Sequence, residues 1–143
     1  DPINPTLEEE VRVELDMSFT GDGIGPSVVT NDGENIVADS VRREGNLTGI
    51  DEVVFGSGST EASKSDSSLE NKIIGKAATR EKEPETVVAH SYLFKSEPQS
   101  QPVNISEMGV TDNNDRLLWR TTVREFEKNS NFQVESFVAF RIQ

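Results

Sequence analysis

The chain has 143 residues, 26 acidic against 14 basic, a formal charge of -12 and 33% hydrophobic residues, so it sits at the polar edge of the globular range with length for one thin core. Lys and Arg are scattered, never denser than Arg42-Arg43, which excludes nucleic acid as a natural partner because phosphate binding needs a concentrated positive field. Cysteine is absent, excluding disulfides and thiolate metal sites, and no apolar run nears the roughly 20 residues of a membrane span. The opening Asp1-Pro2-Ile3-Asn4-Pro5 lacks the charge and apolar order of a signal peptide, so a soluble chain is expected.

From Val11 to Phe19 apolar residues hold every odd position, the pattern of a half-buried strand. Gly21-Asp22-Gly23-Ile24-Gly25-Pro26 predicts a turn that neither a strand nor a helix runs through. Asn31 or Asp32 then caps a helix to about Arg43, with Ile36, Val37 and Val41 on one side and Gly45 near its end. Val53-Val54-Phe55 predicts a short buried strand and Gly56 to Ser68 a loop. Ser67 and Glu70 have capping-box spacing, which predicts a helical turn around Leu69.

Beyond Ile73 five strands are expected, at about 73–82, 86–95, 103–110, 116–126 and 132–142. Glu83-Pro84-Glu85, Pro98 to Pro102, Thr111 to Asp115 and Glu127 to Asn131 supply the turns. The last strand has apolar residues on both faces and is expected to be covered on both sides. The fold class that follows is mainly β, an antiparallel β-sandwich with one or two short helices.

Catalytic chemistry finds little footing. His90 is the sole histidine, and it shares a strand face with Val88, Tyr92 and Phe94; no serine lies in a Gly-x-Ser-x-Gly elbow. The glycine stretches at 21–25 and 56–60 lack the Lys-Ser/Thr of a phosphate loop and are expected to be turns. Asp112-Asn113-Asn114-Asp115 offers oxygen ligands for a hard cation such as calcium, but without the terminal Glu of an EF-hand a plain hairpin turn is the favoured reading. Asn46-Leu47-Thr48 and Asn104-Ile105-Ser106 match the glycosylation acceptor pattern, which matters only outside the cytoplasm. No catalytic, cofactor-binding or metal residue is nominated, and the chain is not expected to be an enzyme.

Five pieces stand in a telling order: Asn31 to Asp39, Val54 to Thr60, Asp66 to Asn71, Ile105 to Val110 and Leu117 to Arg120. Together they resemble small tail-fibre-like structural proteins of tailed phages, in which a helix of the form N-x-G-x-x-x-x-A-D precedes a G-x-G-T loop, an S-D-x-x-L-E-N turn and an I-S-E-x-G-L strand. The resemblance covers about residues 28–143 as a β-sandwich virion-type domain and leaves 1–27 as an N-terminal strand or arm. It implies a virion structural protein, a trimer or higher homo-oligomer building a fibre or baseplate appendage, with other virion proteins and a host-surface receptor or glycan as partners. A capsid-decorating or turret protein shares the implied fold. A free carbohydrate-binding module is the reading from another class, which aromatics at 6% do not favour. Glu107, mid-strand, is expected to form a structural ion pair with Arg116 or Arg120 across the hairpin.

The acidic excess fits either a mildly acidic mesophilic protein or a surface adapted to high salt, such as that of a virus of a salt-loving host. On the second reading the melting temperature rises from low to molar salt, because screening relieves the self-repulsion of the -12 charge. A melt indifferent to salt would remove it.

Overall fold

The computed structural model describes residues 7–15, 19–20, 24–42, 49–83 and 86–142, and side chains within 28–36, 49–80 and 88–138. Its elements are β1 (Leu7–Leu15), β2 (Phe19–Thr20), β3 (Ile24–Val29), α1 (Asn31–Arg42), β4 (Ile50–Gly56), β5 (Lys72–Ala77), β6 (Thr79–Glu83), β7 (Thr86–Leu93), β8 (Val103–Asp112), β9 (Leu117–Lys128) and β10 (Val134–Ile142). The strands form two five-stranded antiparallel sheets, β2-β1-β10-β7-β6 and β3-β9-β8-β4-β5. The mainly β, sandwich-like fold with one short helix follows the alternating patterns of the sequence.

The core lies between the sheets. Val53, Val110 and Trp119 stand in register across β4, β8 and β9, and they share one apolar cluster with Ala89, Leu93, Val134 and Val138 of the other sheet. Full burial of side chains of this size contributes roughly 1.5–3 kcal/mol each. Among the described residues no helix is long and apolar enough to cross a membrane.

Several boundaries move, each for a tertiary reason. The first strand begins at Leu7 and ends at Leu15, because β10 continues to Ile142 and the ladder from Leu7↔Ile142 to Leu15↔Val134 recruits the Glu8-Glu9-Glu10 backbone. Residues 16–18 lie outside the described part, and Phe19 pairs back onto Leu15 in β2. Residues 21–23 also lie outside it, but Ile24-Gly25-Pro26 begins β3 instead of a turn. That strand is at a sheet edge, where a missing proline N–H is tolerated, and its register shifts between Ile24 and Ser27. The expected strand at 73–82 divides at Ala78, where the chain passes from one sheet to the other and the Ala78 amide donates to Asp51 O at 2.9 Å. β10 begins at Val134; Phe132 precedes it and packs 6.4 Å from Phe126. Val134, Ser136 and Val138 are buried, whereas Phe137 on the opposite face is only half-buried, so that strand is less fully covered than its pattern suggests.

The helix occupies its predicted span, but Thr30 caps it instead of Asn31 or Asp32. The Thr30 hydroxyl accepts the Gly33 N–H at 3.0 Å and donates to Leu117 O, while Thr30 O accepts the Glu34 N–H. Ile36 reaches the core; the side chains of Val37 and Val41, and Gly45, fall outside the described residues. The helix sits so close to β9 that a Cβ on Gly33 would lie 2.3 Å from Leu118 O. Gly33→Ala is therefore expected to destabilise the protein by about 1–3 kcal/mol, even though alanine is intrinsically the better helix residue by about 1 kcal/mol. Urea unfolding measures this, and a gain in stability would place the helix farther from the strand.

Candidate functional site

Glu107 lies on the face of the β8-β9 sheet turned away from the inter-sheet core, fully buried beneath the loop between β4 and β5. Its carboxylate accepts four hydrogen bonds: Gly58 N–H and Asn71 N–H on Oε2, both at 2.8 Å, and Glu70 N–H and Arg120 Nε on Oε1, both at 2.9 Å. Arg120, 2% exposed, spends its other nitrogens on Asp66 Oδ2 at 3.0 Å and Thr60 O at 2.9 Å. The Glu107–Arg120 pairing matches one of the two partners expected from sequence. Arg116, the other, pairs with Asp112 at 2.9 Å.

The node explains the local sequence. A Cβ on Gly56 or Gly58 would fall 2.7 or 2.5 Å from Glu107 Oε2, so only glycine lets the loop close on the carboxylate. This glycine loop does grip an anion, but the anion is a side chain of the same protein. The expected helical turn at Ser67 to Glu70 is replaced by an irregular path, because the Glu70 N–H goes to Glu107 while its carboxylate accepts the Ser59 N–H. Hydrogen bonds from the Thr60 hydroxyl and the Ser59 amide hold the Glu70 carboxyl below its ordinary pKa. Leu69 is buried against Val54 and Leu117. A depression of about 330 Å³ beside the node is lined by Thr60, Asp66, Ser67, Ser68, Glu70 and Arg120. Its charged groups are engaged with each other and with backbone.

The Asp112 to Asp115 stretch is a hairpin turn, with Asp115 at φ 60°. Asp112 Oδ1 accepts the Asn114 and Arg116 amides and Oδ2 accepts Arg116 Nε, so its oxygens face donors of the same turn. Among the described residues no three His, Asp or Glu side chains group as metal ligands. Asn104 is exposed on β8, and Asn46 lies outside the described residues.

His90 is on the β7 face opposite the core residues Ala89 and Leu93, the face it shares with Tyr92. Its Nε2 shares a 2.8 Å hydrogen bond with Glu135 Oε1, its ring stacks on Phe137 at 4.3 Å, and Tyr92 lies 4.7 Å away. Tyr92 in turn runs parallel to Phe94, 6.2 Å away with 3° between the planes. Tyr92 and Phe94 are 38% and 50% exposed, the large hydrophobic side chains that stand out at the surface among the described residues. This aromatic strip is the second candidate site, and only the pairing of β7 with β10 brings Phe137 and Glu135 to it.

The loop after Phe94 is firmly held. Glu97 accepts two hydrogen bonds from Lys76 Nζ, at 2.6 and 2.7 Å, and one from the Phe94 amide at 3.0 Å. Burial raises the Glu97 pKa, but the Lys76 and Phe94 hydrogen bonds and the positive charges of Lys76 and Lys128 outweigh it, leaving the carboxyl below its ordinary value. Lys128, fully buried, donates to Asn129 O at 2.9 Å and Gln101 Oε1 at 3.1 Å, with Lys95 O at 3.5 Å and the Phe132 ring at 5.4 Å. Burial pushes its pKa down against the opposing pull of Glu97.

Comparison with known proteins matches no family model, no curated protein and no solved structure.

Removing one partner of a buried ion pair typically costs about 3–5 kcal/mol. Glu107→Gln is expected to reach that range and to strip hydrogen-exchange protection from the Gly58, Glu70 and Asn71 amides, leaving the β7-β10 amides protected until global unfolding. Unchanged protection at those three amides would mean that the loop holds without the carboxylate.

Proposed function

We propose that the chain is a structural subunit of a virion, a non-catalytic part that assembles as a homo-oligomer of three or more copies into a tail fibre, baseplate appendage or similar projection in contact with the host surface. The observation that carries this reading is the convergence of the pieces on which the resemblance rests. Val54 to Thr60, Asp66 to Asn71, Ile105 to Val110 and Leu117 to Arg120 meet at the Glu107–Arg120 node. The helix piece joins them through Gly33 against Leu118 O and Asn31 N–H on Lys64 O. Five scattered strings thus describe one arrangement of a helix and loop around one hairpin, which is what a shared fold requires. The carboxylate and guanidinium best suited to chemistry are spent on holding loops, as befits a protein whose work is geometry.

A thin core also suits a subunit that completes its burial against copies of itself. A capsid-decorating protein would share these properties and differ in symmetry. Light scattering of the purified chain at low and at molar salt tests the proposal. A stable trimer or hexamer is the expected result, a pentamer would favour a turret, and a monomer at both salts would count against an assembly subunit.

A further inference from the structure

We infer that the chain cross-links itself at the open end of the β8-β9 hairpin, through an isopeptide bond between Lys128 Nζ and the side-chain carboxamide of Gln101. Lys128 ends β9 with no exposed surface, opposite Val103 at the start of β8, and its Nζ lies 3.1 Å from Gln101 Oε1. The other oxygens around it are main-chain carbonyls, Asn129 O at 2.9 Å and Lys95 O at 3.5 Å. Of the three, only the carboxamide can be attacked without cutting the main chain.

Three other lysines, Lys64, Lys72 and Lys76, face carboxylates at 2.9, 3.8 and 2.6 Å. Such pairs are inert, because an ammonium has no lone pair and a carboxylate resists attack. Lys128 faces a neutral amide, with the Phe132 ring 5.4 Å away. Burial pushes its pKa down against the pull of Glu97, which enlarges the share of nucleophilic free amine.

The step balances without an outside reagent. A glutamine carboxamide turns about a soft terminal torsion, and its carbon lies about 1.2 Å behind the accepting oxygen, so a modest pivot brings Nζ to an attack distance of about 3–3.5 Å. The lone pair of the free amine forms the Nζ–Cδ bond, the Cδ–Nε2 bond breaks, and the proton shed by Nζ goes to the departing nitrogen. Ammonia leaves and takes up, as ammonium, the proton that the lysine first gave up. Nothing is oxidised or reduced, and a buried charge leaves the protein. Gln101 is half-buried, and its Nε2 donates to Lys95 O at 2.8 Å on the exposed side, which gives the ammonia a way out. The reaction happens once per molecule, so an effective concentration of about 10⁵–10⁸ M, as well-oriented groups reach, stands in for a fast catalyst. With the turn at Asp112 to Asp115 joining the other end, the bond closes β8 and β9 into a covalent ring. The inference does not depend on whether the chain belongs to a virion, since it concerns one chain by itself.

Intact-mass spectrometry of the purified chain tests it, followed over days at about pH 9, where a lysine of lowered pKa is partly free amine. The expected result is a species about 17 Da lighter than the sequence, the loss of one ammonia, whose share grows with time. Digestion is expected to yield two peptides joined through Gln101 and Lys128. Lys128→Met and Gln101→Met are each expected to keep the full mass, as is the wild-type chain held in concentrated urea. Full mass in the folded wild-type chain after that time would overturn the proposal. So would a deficit confined to one peptide, which a succinimide at an asparagine produces, or one that persists in either variant or forms equally fast in urea. A cross-linked monomer would uphold the bond while the assembly reading failed.

Discussion

A carboxylate taken out of water must be met by donors or it cannot stay charged at neutral pH without a cost of several kcal/mol. Glu107 meets that constraint with three backbone amides and one guanidinium, and the three amides belong to a loop that has no regular structure of its own. The loop therefore cannot lift from the β8-β9 hairpin without stranding the charge. This reverses the usual relation in which a sheet merely carries its loops, because here the loop completes the electrostatics of the sheet.

The same device recurs along one hairpin. Asp112 organises its tip by accepting two amides and the Arg116 guanidinium. Arg120 reaches Thr60 O, and Lys128 at the far end reaches Asn129 O and Gln101 Oε1. Glu107 and Arg120 thus hold one loop together, while Asp112 and Lys128 hold two others. In a chain with so few apolar residues, buried polar contacts fix the connections that a larger core would otherwise hold by packing. They are an expensive means of adding stability and an effective means of specifying one conformation.

This use of charge also separates the two candidate sites. At the node, ion pairs and hydrogen bonds are closed among residues of the chain, and the surface beside them has little left to offer. On the outer face of β7 the Lys76–Glu97 pair is likewise closed, and Tyr92 and Phe94 stand partly exposed beside it.

How much of this was legible in the sequence depended on the range of the interaction. Strand alternation, the helix at Asn31–Arg42 and the turn at Asp112 to Asp115 arise from contacts between near neighbours, so period and turn chemistry revealed them. The Glu107 pairing was legible because a mid-strand carboxylate must find a cation nearby. The Thr30 cap, the split at Ala78 and the irregular path of Ser67 to Glu70 were not, because Leu117, Asp51 and Glu107 supply the competing partners from distant positions. The aromatic strip was half visible, as His90, Tyr92 and Phe94 on one strand face, and invisible in Phe137 and Glu135, which only the register of β10 against β7 supplies. Local pattern was enough to specify a β-rich, acidic chain and which residues alternate. Which faces are covered and where each buried charge finds its partner came from the fold, because both depend on residues brought together from far apart along the chain.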